Sequence, residues 1–321
     1  MRLLFLTFVF ISQINLYSQS LKNKDTILFT VPRGKNADYI AKKLKEKELI
    51  SSEIYFKILA KIFQLDKKIK SGVYELNQNM NTIEILNHLI SGKVKLIQFT
   101  IIEGWSNYQI GEYFTQLGYT KEPEEFIKVT KNKEILDKYK IAGPTSEGFL
   151  FPETYTIDPQ LLVSQIHEIM IQMFFSKLKT ITSLETIEPK KLYEKVIIAS
   201  IIEREAIHKD ELPLMASVYY NRIQKKIKLQ ADPTIQYILK NPKKKLTLKD
   251  LEINSPYNTY KYKGLPPTPI SNPGIHALKA SFFPEKTDYY YFVLMPDGRH
   301  YFSKTYQEHL EAKKRYWDTI K

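Results

Sequence analysis

Residues 196–206, VIIASIIEREA, set a carboxylate, Glu203, directly after an apolar run. At about 100° per residue, Glu203 shares a helical face with Leu192, Val196, Ala199, Ser200, Ala206 and Ile207. Ile197, Ile198, Ile201 and Ile202 fill the remaining faces, and a helix apolar nearly all round belongs at the centre of its domain. An ionised carboxylate is costly in such a place, so its pKa should rise toward the range useful for proton donation. Glu203 is therefore the first candidate for general acid chemistry. The competing structural reading makes it an ion-pair partner of Arg204, Lys195 or Arg222.

Three further clusters carry polar side chains toward such an acid. Residues 146–155, SEGFLFPETY, mix two carboxylates, Glu147 and Glu153, with three aromatics. Aromatic faces stack on sugar rings and carboxylates orient hydroxyls, so this mixture suits a glycan cleft; a capped structural loop is the alternative. In residues 229–237, LQADPTIQY, Asp232 before Pro233 reads as a helix N-cap, which leaves Gln230 as the better candidate for substrate contact. Residues 255–260, SPYNTY, continue into the proline-rich stretch 264–274. Prolines reduce the ordering cost of a loop, and this one presents Tyr257, Asn258, Thr259 and Tyr260 as a wall for a polar polymer.

The elements that must position these residues are mostly helical beyond residue 103. Apolar spacing predicts helices near 106–117, 122–129, 160–180 and 189–207, another within 213–225, then a hairpin (289–294 and 300–303 about Pro296-Asp297-Gly298) and a helix over 305–319. Residues 26–102 read as a small α/β unit. A strand at 26–31 is followed by helices capped by Asn36 and Ser52, a strand from Gly72, a helix capped by Thr82 and stopped by Gly92, and a strand at 94–102. Its strand–helix–helix–strand order resembles the LysM-type sugar-binding module, a βααβ unit, although a spacer domain would show the same pattern.

Composition narrows the classes. The chain of 321 residues is long enough for two modest domains with real cores. It has no cysteine, which excludes thiol nucleophiles, thiolate metal sites and disulfides. Six histidines without metal-ligand spacing add no metal site, and no cofactor motif is present. The net charge of +13 is carried by scattered lysine clusters and suits an anionic partner. The chain lacks helix-turn-helix, zinc-finger and RNA-binding aromatic patterns, so nucleic acid is not the expected partner. At the start, Arg2 precedes an apolar run over 3–11, a secretory pattern shorter than the roughly 20 residues a membrane span needs. Residues 1–20 are expected to direct export, as a cleaved signal peptide or a retained anchor.

Taken together, residues 147–155, 199–206, 229–237 and 257–274, with Tyr291-Phe292-Val293, His300 and Phe302, resemble the endolytic murein transglycosylases of the YceG-like family. Val31-Pro32-Arg33-Gly34, Ser71-Gly72-Val73-Tyr74 and Ile102-Glu103-Gly104-Trp105 extend the resemblance to about residues 28–320. It implies an α+β chain with a LysM-like subdomain over 21–102, followed by a catalytic domain over 103–321. It implies that Glu203 is catalytic and that peptidoglycan strands are cut internally between N-acetylmuramic acid and N-acetylglucosamine, leaving 1,6-anhydro ends. It further implies an inner-membrane position facing the periplasm, beside the synthases that polymerise new strands. The weak apolar N-terminus departs from the family's transmembrane anchor. A hydrolase pairing Glu203 with Glu147, Glu153 or Glu205, and a non-catalytic glycan-binding protein, are the competing readings. Glu205 is the weakest partner, pointing about 160° from Glu203 on a regular helix.

Overall fold

The computed structural model describes residues 26–65, 67–183, 187–239, 243 and 245–320, with side chains through residue 315. The export segment expected at 1–20 lies outside them. The chain divides into two compact units, Met1–Phe99 with Thr156–Leu161, and Thr100–Tyr155 with Leu162–Lys321.

In the first unit, β1 (Thr26–Val31) pairs antiparallel with β2 (Gly72–Asn77), in register from Thr26 opposite Asn77 to Val31 opposite Gly72. The strand period of two turns Phe29, Val31, Tyr74 and Leu76 inward, where all four are buried. α1 (Ala37–Glu46) and α2 (Glu53–Ile62) lie between the strands in sequence, their N-termini capped by Asn36 and Ser52 as the sequence predicts. α3 (Thr82–Ser91) follows. Its cap is Asn81 rather than Thr82, because Asn81 forms a reciprocal capping box with Glu84; Gly92 ends the helix at φ 71°. The strand expected over 94–102 is shorter, β3 (Ile97–Thr100), and it pairs with β4 (Thr154–Ile157).

The second unit is built on helices: α4 (Asn107–Gln116), α5 (Pro123–Thr130), α6 (Lys133–Lys138), α7 (Val163–Leu178), α8 (Pro189–Ile202), α9 (Leu212–Gln224), α10 (Asp232–Leu239), α11 (Leu248–Leu251) and α12 (Ile275–Phe282). β5 (Tyr291–Leu294) and β6 (His300–Ser303) form the expected hairpin, and α13 (Tyr306–Ile320) follows. α8 packs against α9 and α12 and buries Leu192, Tyr193 and every residue from 196 to 202. The apolar helix is thus central, as its composition demands.

It is shorter than the expected 189–207. α8 ends at Ile202 with Glu203 as its C-cap, and i→i+3 bonds from Arg204 N to Ile201 O and Glu205 N to Ile202 O tighten the last turn. Three consecutive charged side chains cannot all follow an apolar helix into a core. The turn lets each leave in its own direction. Among the described residues, no helix is long and apolar enough to cross a membrane.

Candidate active site

The partly buried Glu203 carboxyl accepts a hydrogen bond at Oε2 from the backbone N–H of Gly274, 2.9 Å away. Gly274 is the N-cap of α12, so the carboxyl sits against a helix start, whose free N–H groups favour negative charge. Burial acts the other way and prevails, pushing Glu203 up to about 7. Glu103 raises it further by like charge, while Lys209 lowers it. These last two groups also meet each other, Lys209 Nζ lying 3.5 Å from Glu103 Oε2. Glu103 packs so closely on Gly274 that a β-carbon there would come within 2.2 Å of Glu103 Oε1.

The loop delivering Gly274 is stapled to α8 one turn before Glu203. Ser200 Oγ accepts the Ile270 N–H at 3.0 Å, and Ser271 Oγ donates to Ser200 O at 2.9 Å. Asn272, fully buried, ties the same loop to two others. Its Oδ1 accepts from Gly148 N and Leu150 N, and its Nδ2 donates to Trp105 O and Asn107 Oδ1. Three segments distant in sequence are therefore held around the end of α8 by hydrogen bonds whose loss would leave buried polar groups unpaired.

Arg204 turns away from Glu203. Its guanidinium donates to Gly104 O and helps to line a cavity of about 620 Å³. Glu147, Tyr237 and Tyr257 line the same cavity, with the two rings 5.1 Å apart. Glu147 is buried. Its Oε1 accepts from Asn107 N at 2.8 Å, its Oε2 accepts from Tyr237 Oη at 3.2 Å, and burial pushes it up to about 8. Glu203 itself is outside the cavity lining, one residue away along the chain. Glu205 turns a third way, where it accepts from Tyr219 Oη at 2.9 Å and is also pushed up by burial to about 7.

The other residues expected at the site divide by what they bind. Tyr257 faces the cavity, its hydroxyl paired with Thr268 at 2.9 Å. Asn258 does not reach it: Nδ2 donates to Leu251 O and Ile253 O, while Oδ1 accepts from Tyr260 N and Lys261 N. Thr259 is consumed in the same way by Ala231 N and Thr234 Oγ1. Tyr260 donates to Asp232, which is the first residue of α10 rather than the cap before it. Gln230 is exposed, in left-handed backbone (φ 52°), near Arg222. Glu153 is engaged elsewhere, in an ion pair with Lys177 at 2.8 Å.

The ion-pair reading of Glu203 finds no support. Arg204 bonds Gly104 O, Lys195 bonds Ser281 O, and Arg222 bonds the carbonyls of Tyr290, Lys228 and Leu229. Glu103, Gly274 and Arg204 are the site residues that sequence reasoning passed over. The turn at Glu103-Gly104-Trp105 is the signal that pointed to the first of them. Among the described residues, no group of three or more His, Asp or Glu side chains could hold a metal ion.

The YceG-like family pattern matches residues 29–315. The chain is 35% identical to the endolytic murein transglycosylase of Bacillus subtilis, over 94% of this chain and 89% of that one. It is 28% identical to the endolytic murein transglycosylase of Streptococcus pneumoniae, over 89% of this chain and 58% of that longer one. Its fold is similar to the crystal structure of a yceG-like protein from Listeria monocytogenes, with a TM-score of 0.59 and 32% identity over 90% of this chain and 99% of that one. The chain belongs to the YceG-like family.

Proposed function

We propose that the chain is an endolytic peptidoglycan lytic transglycosylase, with Glu203 as its general acid and base. The observation that carries this reading is the Glu203 carboxyl, pushed up to about 7 by burial yet anchored by the Gly274 N–H. Such a group is substantially protonated at neutral pH and its conjugate base has a donor waiting. The name carried by the Bacillus subtilis relative supports the same activity.

In the reaction, Glu203 gives its proton to the glycosidic oxygen as the bond from that oxygen to C1 of the muramoyl unit breaks. The C6 hydroxyl oxygen of the same unit then bonds to C1, and its proton returns to Glu203. One carboxyl serves both directions because the nucleophile is already tethered to the substrate. Hydrolysis would instead require a second carboxylate to activate water or attack the sugar. Glu147 is poorly suited to that task, since burial favours its neutral form and hydrogen bonds occupy both its oxygens. Glu205 accepts from Tyr219 and Glu153 pairs with Lys177.

One observation favours hydrolysis as a second reading: the Glu103 carboxylate lies beside Gly274 and influences Glu203. Digestion of uncrosslinked glycan strands, read by mass spectrometry, separates the two. Anhydro-muramoyl ends that disappear with Glu203→Gln support transglycosylation. Reducing ends would support hydrolysis, and equal products from wild type and Glu203→Gln would remove Glu203 from the chemistry. The substrate places the chain outside the cytoplasm. Residues 1–20 would deliver it across the inner membrane and, if retained, hold it there beside the synthases that extend the strands; N-terminal sequencing of the mature protein tests retention.

A further inference from the structure

We infer that the cavity beside Glu203 is the binding site for the peptide stem that the muramoyl unit carries, with Arg204 receiving a stem carboxylate. The inference rests on the proposed function and extends it from the glycan to its substituent.

Position comes first. Glu203 and Arg204 are consecutive and diverge, and Gly104 touches both: a β-carbon on Gly104 would stand 3.7 Å from the Cγ of each. The cavity therefore begins one residue from the acid. An enzyme that cuts inside a strand needs an open groove through which the polymer passes at both ends. A pocket of about 620 Å³ alongside that groove suits a branch that ends, and the volume lies in the range of ordinary ligand sites.

The lining chemistry is that of a peptide ligand. Ile127, Ile238 and Pro144 offer apolar contact for small side chains, and Gln109 and Thr145 can bond amides. Asn107, buried in the same lining, has an Nδ2 with no hydrogen-bond partner, a donor that a ligand carbonyl could satisfy after a small side-chain shift.

Charge selects the anionic end. Among the described residues, no carboxylate forms a salt bridge with Arg204. The acidic group in the cavity that acts on it, Glu147, is held mainly neutral by burial at pH 7. Lys131 and Glu124, also in the lining, offset each other, so the cavity keeps the Arg204 charge uncompensated. A carboxylate bonded to a guanidinium in partial burial is a strong, directional contact.

The test compares uncrosslinked strands bearing intact stems with the same strands stripped by an amidase, using the whole chain. Wild type should cleave the stem-bearing strands about tenfold faster, because remote binding energy is realised at the reacting bond. Ile127→Trp, which projects an indole into the cavity from a partly exposed helix position, should cut that preference about tenfold. A wild type without preference, or an Ile127→Trp enzyme with the wild-type preference, overturns the inference. Binding gives a second readout that does not depend on turnover. Free muramoyl pentapeptide should saturate the Glu203→Gln protein and bind about tenfold or more weakly when Arg204→Gln is added, the loss expected for one charged hydrogen bond. Absence of saturable binding, or equal binding by both proteins, overturns it too. Failure of the stem site alone would leave anhydro products from both substrates, whereas failure of the proposed function would leave none from either.

Discussion

Glu147→Gln isolates what a buried carboxyl costs this fold. Burial pushes Glu147 from 4.5 up to about 8, so the folded protein keeps this proton across a window in which the unfolded chain has released it. Unfolding in that window releases a proton, and stability must fall as pH rises through it. At about 1.4 kcal/mol per pH unit, the group removes about 3–4 kcal/mol between pH 5 and pH 8. Glutamine cannot ionise. It keeps an acceptor for the Asn107 N–H and an amide toward Tyr237, so the local bonds survive while the pH dependence goes. Glu203 and Glu205, each near 7, contribute equally to both proteins and cancel in the comparison. The stability gap between variant and wild type should therefore widen by about 3–4 kcal/mol from pH 5 to pH 8, or about 6–16 °C in Tm for a unit of this size. Thermal melts of both proteins at pH 5, 6.5 and 8 measure it. Parallel melting curves would mean that Glu147 is ionised in the folded protein. Glu147 would then be an ionised second carboxylate beside the site, and it would compensate the charge of Arg204 within the cavity.

Further expectations concern the neighbours of Glu203. Because the acid must be protonated, kcat/KM should fall as pH rises through about 7. Glu103→Gln removes a negative neighbour, lowers the Glu203 pKa and moves that fall to lower pH; Lys209→Gln moves it upward, and rate profiles shifting in the same direction would contradict the assignment. Gly274→Ala should act like Glu103→Gln, since its methyl group meets the flexible end of Glu103 at ordinary backbone angles; an unshifted profile would show that Glu103 does not act from that position. Ser200→Ala leaves the buried Ile270 N–H without its acceptor and should cost about 1–3 kcal/mol in urea denaturation. Activity should fall with it, because the loop that brings Gly274 is released from α8.

The parts of the site legible in the sequence were those written in local pattern. The helical period and the isoleucines around Glu203 located both a central helix and a costly carboxylate, and the caps at Asn36 and Ser52 fell where short polar side chains precede apolar spacing. The end of α8 was misplaced because residues 206 and 207 continue the apolar period, while the turn is set by where three consecutive charges find partners. Asn258 and Thr259 looked like a wall for substrate because polar residues in a proline-rich loop read as presented outward. Irregular backbone has to be satisfied too, and both side chains are spent on it. α12 escaped notice because its start carries no side-chain cap: the N-cap is a glycine, and the side chain bonded there is Glu203, contributed by another helix.

That placement explains why the acid stands at the end of α8 rather than within it. Mid-helix, a carboxyl among isoleucines would be raised by burial with nothing to hold it once ionised, and it could give a proton but not readily take one back. At the C-cap, Glu203 keeps the buried helix on one side and meets the Gly274 N–H on the other. Burial favours the acid, and the α12 N-terminus stabilises the base left after proton transfer. The opposed influences of Glu103 and Lys209 then adjust the balance from the exposed side. A residue that must act as acid and base in one turnover needs both forms within reach near neutral pH, and a pKa of about 7 reached by opposing effects provides this. A displaced helix start would shift that balance without touching the catalytic side chain. Ser200 and Asn272, which fix the loop, thereby affect the chemistry through Gly274.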